Sequence, residues 1–271
     1  MENMTLDEKY QRLLGIISAE RMVAVAFSGG VDSSFLCYAA HEALGDKAVA
    51  ITVISPLNPK EEIECAVSVA EKIGIEHILT ESPDIAESVA VNSKERCYFC
   101  KKIVFAHILN EAAKREIETV LDGSNVDDIK DYRPGAKALE ELRILSPLQK
   151  ALLSKDEIRE LSRRFDLPTH DKPAFACLAS RIPYGERIDK EKLARIEKSE
   201  NILRKAGFRQ FRVRSHENIA RIEVAPEERH RFFDESVMDN ISRALKECGF
   251  VYVALELEGY VMGSMNRAIF V

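Results

Sequence analysis

Residues 23–27, "VAVAF", form a short unbroken apolar run, the pattern left by a parallel strand buried on both faces. A glycine turn follows at once. "SSFLCYAAHEAL" then repeats apolar positions at helical spacing and stops at Gly45, a suitable residue for the left-handed position beyond a helix. "AVAITVI" predicts the next strand, and Asn58 as N-cap, Pro59 in the first turn and Glu61 at N3 predict a helix running to Gly74. "HILT", a helix after Cys100, "TVLDG", and a helix opened by Ser154 with Glu157 three residues on continue the alternation. Strand and helix in regular succession predict an α/β fold with a doubly wound parallel sheet.

Beyond residue 186 the rhythm changes. A charged helix over 189–206 precedes two short alternating strands, "QFRVRS" and "ARIEVA", then more helix and "FVYVALEL". We expect a nucleotide-binding α/β domain over 1–172, a connector or active-site loop over 173–187 rich in Pro and small residues, and a smaller α+β domain for substrate binding and oligomerisation over 188–271.

The 271 residues, 46% of them hydrophobic, are enough to bury a core and to divide in two. A formal net charge of −6 gives no bulk attraction to nucleic acid or to an anionic membrane, so an anion must meet a local site. The first 22 residues are too charged for a signal-peptide core, and no apolar run of about 18 residues is present. We expect a cytoplasmic protein. In a reducing compartment the six cysteines do not imply a disulfide scaffold, and Cys37, Cys65 and Cys248 read as small buried hydrophobes.

"FSGGVDSS" lies between the first strand and the first helix of that alternation. Ser28, Gly29 and Gly30 let the backbone approach an anion, and Ser33 and Ser34 offer hydroxyls and amides at a helix N-terminus, where the helix dipole favours negative charge. The loop fits phosphate, yet it is neither a Walker A loop nor a dinucleotide G-x-G-x-x-G turn. "SGGVDSS" resembles the PP-loop of ATP pyrophosphatases, the group of GMP synthetase, NAD synthetase and tRNA thiolation enzymes. The resemblance implies ATP split between its α- and β-phosphates, AMP attached to a carboxylate or carbonyl oxygen, Asp32 as part of the loop, and Mg²⁺ offsetting the pyrophosphate charge. It also implies adenine beside Thr52 and Val53. "LDGSNVDD" (121–128) resembles the group's second nucleotide segment, with Gly123, Ser124 and Asn125 at the α-phosphate and Asp127 or Asp128 toward Mg²⁺ or substrate.

"ERCYFCKK" places Cys97 and Cys100 three positions apart. By itself the pair fits an iron–sulfur ligand set, a zinc site completed by His170, a redox pair, or a helix-capping turn with idle thiols. With "PAFACLASRIPYG" (173–185) it resembles the LarE family, ATP-dependent sulfur transferases that build the nickel-pincer nucleotide cofactor, and the resemblance extends along essentially the whole chain. It implies a pyridinium dicarboxylate mononucleotide as substrate, adenylation of its carboxylates, and conversion to thiocarboxylates. Cys177 stands at the sulfur-bearing position. One branch sacrifices that sulfur; another holds a 4Fe-4S cluster on three cysteines, and Cys97, Cys100 and Cys177 match its set.

In "FRVRS", Arg212 and Arg214 alternate with Phe211 and Val213 and so share one face, as Arg221 and Glu223 do in the next strand. Taken alone, R-x-R reads as a solvated polar face. The family resemblance turns it into a clamp for the substrate phosphate, with Glu223 beside it and Ser180 and Arg181 contributing from the connector. The expected partners are this small nucleotide, a sulfide donor and further copies of the chain, with no nucleic acid and no membrane. Among the rivals, a PP-loop tRNA thiolase calls for a broad basic surface, whereas residues 187–271 hold 16 basic and 14 acidic side chains. An amidating synthetase needs a glutaminase domain that does not fit the length. A non-catalytic ATP-binding regulator is the rival of a different class.

Overall fold

Four strands, β1 (Val23–Ala26), β2 (Ala48–Ile54), β3 (Glu76–Glu81) and β4 (Thr119–Leu121), pair in parallel in the order β3-β2-β1-β4. The computed structural model describes residues 4–130, 134–173, 176–261 and 263–265, so Ala174 and Phe175 of the connector motif lie outside the described residues. The helices in chain order are α1 (Leu6–Ser18), α2 (Val31–Leu44), α3 (Lys60–Ile73), a one-turn α4 (Ile85–Ser88), α5 (Arg96–Ala113), α6 (Pro134–Glu141), α7 (Pro147–Lys150) and α8 (Lys155–Arg164). Period-two alternation divides the core. Val23, Val25, Ala48 and Ala50 pack with Leu13, Phe35, Val69 and Leu161 on one face, while Ala24, Val49 and Ile51 pack with Phe105 and Ile108 of α5 on the other. This is the expected doubly wound α/β sheet.

The local signals for helix ends hold in two cases and shift in two others. Gly45 closes α2 with φ 57°, and Ser154 with Glu157 makes a reciprocal capping box at α8. The helix expected from Asn58 starts later, at Lys60 with Pro59 as cap, because Asn58 accepts from Ser55 in a preceding turn. The helix expected after Cys100 begins at Arg96, so both cysteines fall within its first turns.

The chain divides into two compact units, residues 1–85 with 97–175, and residues 86–96 with 176–271. In the second unit α9 (Lys190–Lys205), capped by Asp189, precedes β5 (Phe211–His216), β6 (Ile219–Val224), α10 (Glu235–Glu247) and β7 (Tyr252–Leu255). β5 and β6 are antiparallel, and β7 joins β6 in parallel. Phe211, Val213, Ile222 and Val224 on one sheet face bury against Leu203, Ile241 and Leu245 of the helices. Segment 86–96 is fastened within this unit through Asn92, whose Nδ2 donates to the carbonyls of Ile182, Pro183 and Glu186. Among the described residues no helix is long and apolar enough to cross a membrane.

Candidate nucleotide site and cysteine loop

In the first unit the chain runs from β1 to β2 and β3 on one side, then crosses to β4 on the other. The carboxyl ends of β1 and β4 therefore flank the topological switch point, where open α/β sheets bind ligands. The loop after β1 carries Ser28 to Ser34, and the loop after β4 carries Gly123 to Asp128. They meet there. A Cβ on Gly123 would lie 3.2 Å from the Ser33 amide nitrogen, and Asn125 Nδ2 donates to Asp32 Oδ1 at 3.2 Å.

The N-terminus of α2 is uncapped by any side chain, so the amides of its first turn point at the loop with no intrahelical acceptor. Ser28 and Ser33 hydroxyls hydrogen-bond to each other at 3.0 Å, and Ser34 is fully buried with no partner for its hydroxyl. Asp32 also pairs with Lys155 Nζ at 2.5 Å. Lys155 was not legible as a site residue, since it stands in the sequence only as the residue after a helix cap. It brings a cation to the switch point, beside the open helix N-terminus, where a bound anion would meet it.

The two loop glycines differ. Gly29 has φ 72°, and a Cβ there would meet Ala66 Cβ and the Glu62 carbonyl at 3.1 Å; Gly30 is extended, with only Ser28 Oγ nearby at 3.5 Å. The Gly29 carbonyl is held at 3.0 Å by Lys172 Nζ, which also contacts Glu62 Oε2 and Cys65 Sγ, so Cys65 is not the inert apolar residue expected. Gly29→Ala should lower stability by about 1–3 kcal/mol and weaken ATP binding. Gly30→Ala should leave stability within about 0.5 kcal/mol. Urea unfolding and calorimetric titration with ATP read both effects, and equal losses at the two positions would contradict this geometry.

Thr52 is buried behind the loop and donates to the Phe27 carbonyl at 2.7 Å, so His77 Nε2, 2.8 Å from the same hydroxyl, is the donor in that contact. Burial lowers the pKa of His77 and keeps it neutral at pH 7. Val53 is also buried. Ser124 is turned toward Asp122, while Asp127 and Asp128 accept from the backbone amides of Lys155 and Asn125. His170 is bound to the Leu167 carbonyl.

Cys97 and Cys100 lie one helical turn apart on α5 and so share a face. None of the six cysteines is in a disulfide. Among the described residues no three His, Cys, Asp or Glu side chains are grouped so as to hold a metal ion.

Within the second unit, Cys177 opens a single 3-10 turn over Leu178–Arg181. Arg181 is wholly buried: Nε and Nη2 grip Glu200 at 2.8 and 2.9 Å, while Nη1 donates to the carbonyls of Ala176 and Cys177. Its guanidinium therefore fixes the backbone that presents Cys177. Arg96 Nη1 donates to the Ala179 carbonyl at 3.0 Å and steadies the same turn. The Cys177 thiol engages no other described side chain.

The polar face of the second sheet is not solvated. Arg212, Arg214 and Glu223 are 2%, 4% and 1% exposed. Arg214 donates to the Ser180 carbonyl and to Glu223 Oε2, and Arg221 donates to Glu223 Oε1 and pairs with Glu256. Burial, then the neighbouring Arg181, pushes the pKa of Arg212 down to about 10, so the guanidinium stays charged at neutral pH.

A switch-point loop with an open helix N-terminus, in a parallel sheet of this order, defines the class of PP-loop proteins. The profile of the asparagine synthase family matches residues 16–176. Pyridinium-3,5-bisthiocarboxylic acid mononucleotide synthase of Lactiplantibacillus plantarum is 36% identical over 98% of this chain and 96% of its own length. An uncharacterised protein of Synechocystis is 41% identical over 97% and 99%. A glutamine-hydrolysing GMP synthase of Aeropyrum pernix is 26% identical over 55% of this chain and 32% of its own. The chain belongs to the asparagine synthase family of PP-loop domains and, within it, to the family of the L. plantarum synthase.

Proposed function

We propose that the chain is an ATP-dependent sulfurtransferase that adenylates a carboxylate of a pyridinium dicarboxylate mononucleotide, releases pyrophosphate, and converts the carboxylate to a thiocarboxylate with sulfur delivered at Cys177. Adenylation answers a chemical need, because a carboxylate oxygen leaves poorly and adenylate leaves readily. The observation that carries the reading is the presentation of Cys177, whose backbone is fixed by Arg181 while its thiol engages no other side chain among the described residues. The nearly full-length likeness to the L. plantarum synthase supports it.

The residues divide the work. Ser28 to Ser34 receive the phosphates at the α2 N-terminus with Lys155 beside them, Gly123 to Asn125 border the α-phosphate, and Thr52 and Val53 lie along adenine. Arg212 and Arg214, with Ser180 and Glu223 aligning them, take the substrate phosphate. Mg²⁺ takes one or two carboxylates plus phosphate oxygens, which fits Asp32 and its neighbours and would offset the pyrophosphate charge.

Cys97, Cys100 and Cys177 are proposed as ligands of a 4Fe-4S cluster, which when bound supplies a non-protein sulfide and leaves the cysteines intact. The donor chemistry fits, with two thiols on one helical face and none of the three in a disulfide.

Protein prepared without oxygen, given ATP and the pyridinium dicarboxylate mononucleotide, should release pyrophosphate only when both are present. ATP binding without any such release would reduce the chain to a regulator.

A further inference from the structure

On the polar face of the second unit's sheet lies a cavity of about 400 Å³, within the range of small-molecule sites. Its walls combine Lys94 from segment 86–96, Tyr184 from the turn beyond Cys177, His216 and Arg221 from β5 and β6, and Glu256 and Glu258 from beyond β7. We propose that this cavity takes the head group of the mononucleotide, a cationic N-heteroaromatic ring bearing carboxylates, with Tyr184 against the ring and Lys94 on a carboxylate. The assignment rests on the function proposed above and goes beyond it in naming where the reacting end is held.

Charge order along the sheet carries the argument. Arg212 and Arg214 stand on β5, Arg221 and Glu223 on β6, and Glu256 directly follows β7 beside Glu223, so the charges are ordered across the strands. Glu223 joins the two, giving one oxygen to Arg214 and the other to Arg221. An anionic phosphate followed by a cationic ring has the same polarity. Across the sheet from Arg212 past Glu223 to Glu256 is two strand spacings, roughly 10 Å. That span suits a phosphate at one end and a base-sized ring at the other.

A simple anion fits the cavity poorly, since Lys94 and Arg221 face Glu223, Glu256 and Glu258. An uncharged ligand would not use the polar groups that border it. Lys94 is exposed and forms no ion pair among the described residues. Arg221 has both terminal nitrogens on glutamates, and its Nε is buried with no acceptor among the described residues, as is Arg214 Nε. His216 Nε2 is likewise buried without a partner, and burial together with Arg221 holds this histidine neutral. These buried atoms do not reach the cavity, which offers a ligand Lys94, Tyr184 and the glutamates instead. A ring carboxylate meets Lys94, and the ring cation is matched by the glutamates and by the Tyr184 ring.

Two probes without ribose or phosphate test the cavity on the full chain: N-methylpyridinium-3,5-dicarboxylate, and benzene-1,3-dicarboxylate, which lacks the ring cation. Calorimetry should show the pyridinium probe binding about tenfold tighter. Lys94→Glu, a change at an exposed position, should weaken both probes about tenfold. Tyr184→Ala should remove the preference between them and Tyr184→Phe should keep it. Undiminished affinity in both Lys94→Glu and Tyr184→Ala, or no binding of the pyridinium probe by the parent chain, overturns the assignment. The underlying reading fails separately: a full mononucleotide that elicits no pyrophosphate, while the probe still binds in a Lys94-dependent manner, sinks the proposed reaction and leaves the cavity assigned.

Discussion

Serine in place of Cys177 should reduce sulfur transfer to background while ATP affinity and nucleotide-dependent pyrophosphate release persist. The thiol is the group lost, and the turn that bears it is held through its carbonyl by Arg181, which serine leaves in place. Cys97→Ser and Cys100→Ser separate the two chemistries proposed for this position. With a cluster on three thiolates, each change should remove visible absorption, iron and catalytic turnover together. With a sacrificial Cys177, both variants should still complete one turnover, and intact mass should show Cys177 lighter by hydrogen sulfide. Iron, acid-labile sulfide and mass before and after turnover give the answer, and an iron-free active protein ending in dehydroalanine would falsify the cluster.

Glu200→Ala should cost about 3–5 kcal/mol of stability, read as an earlier urea transition of the second unit. The loss leaves the wholly buried Arg181 guanidinium without its carboxylate and the Val213 amide without its acceptor. Replacing both partners by apolar residues, Arg181→Met with Glu200→Leu, should recover most of that stability. Activity should stay lost, because the Ala176 carbonyl then loses its Arg181 donor and the Cys177 carbonyl keeps only Ser180. A double variant that regained both would reduce the pair to packing.

Much of the first unit was legible because its signals are local. Apolar runs gave the buried strands, a capping box gave α8, and the loop at Ser28–Ser34 stands where strand and helix periods meet. The start of α5 was not legible, since Cys97 and Cys100 read as a motif and masked the helix that contains them. Arg181 was expected to face substrate. One sequence cannot show that Glu200, nineteen positions on, takes its fork. Lys155 reaches Asp32 across 123 positions for the same reason: pairing at long range leaves no periodic trace. The alternation in β5 correctly placed Arg212 and Arg214 together, but their burial came from elements that period two does not describe.

Asn92 finds its carbonyl partners some 90 positions later, at Ile182, Pro183 and Glu186, and Arg96 finds Ala179. During synthesis, segment 86–96 therefore leaves the ribosome well before the residues that satisfy it, and its side chains must stay hydrated until the chain has passed 186. The first unit's residues are all synthesised by position 175, while the second unit waits for residues beyond 186, so the second completes its contacts later in synthesis. A fragment starting at 176 keeps every strand of its sheet and loses the strap that steadies the turn of Cys177. Supplied as a separate peptide, residues 86–96 would have to dock onto that turn as a ligand docks, with an affinity of its own.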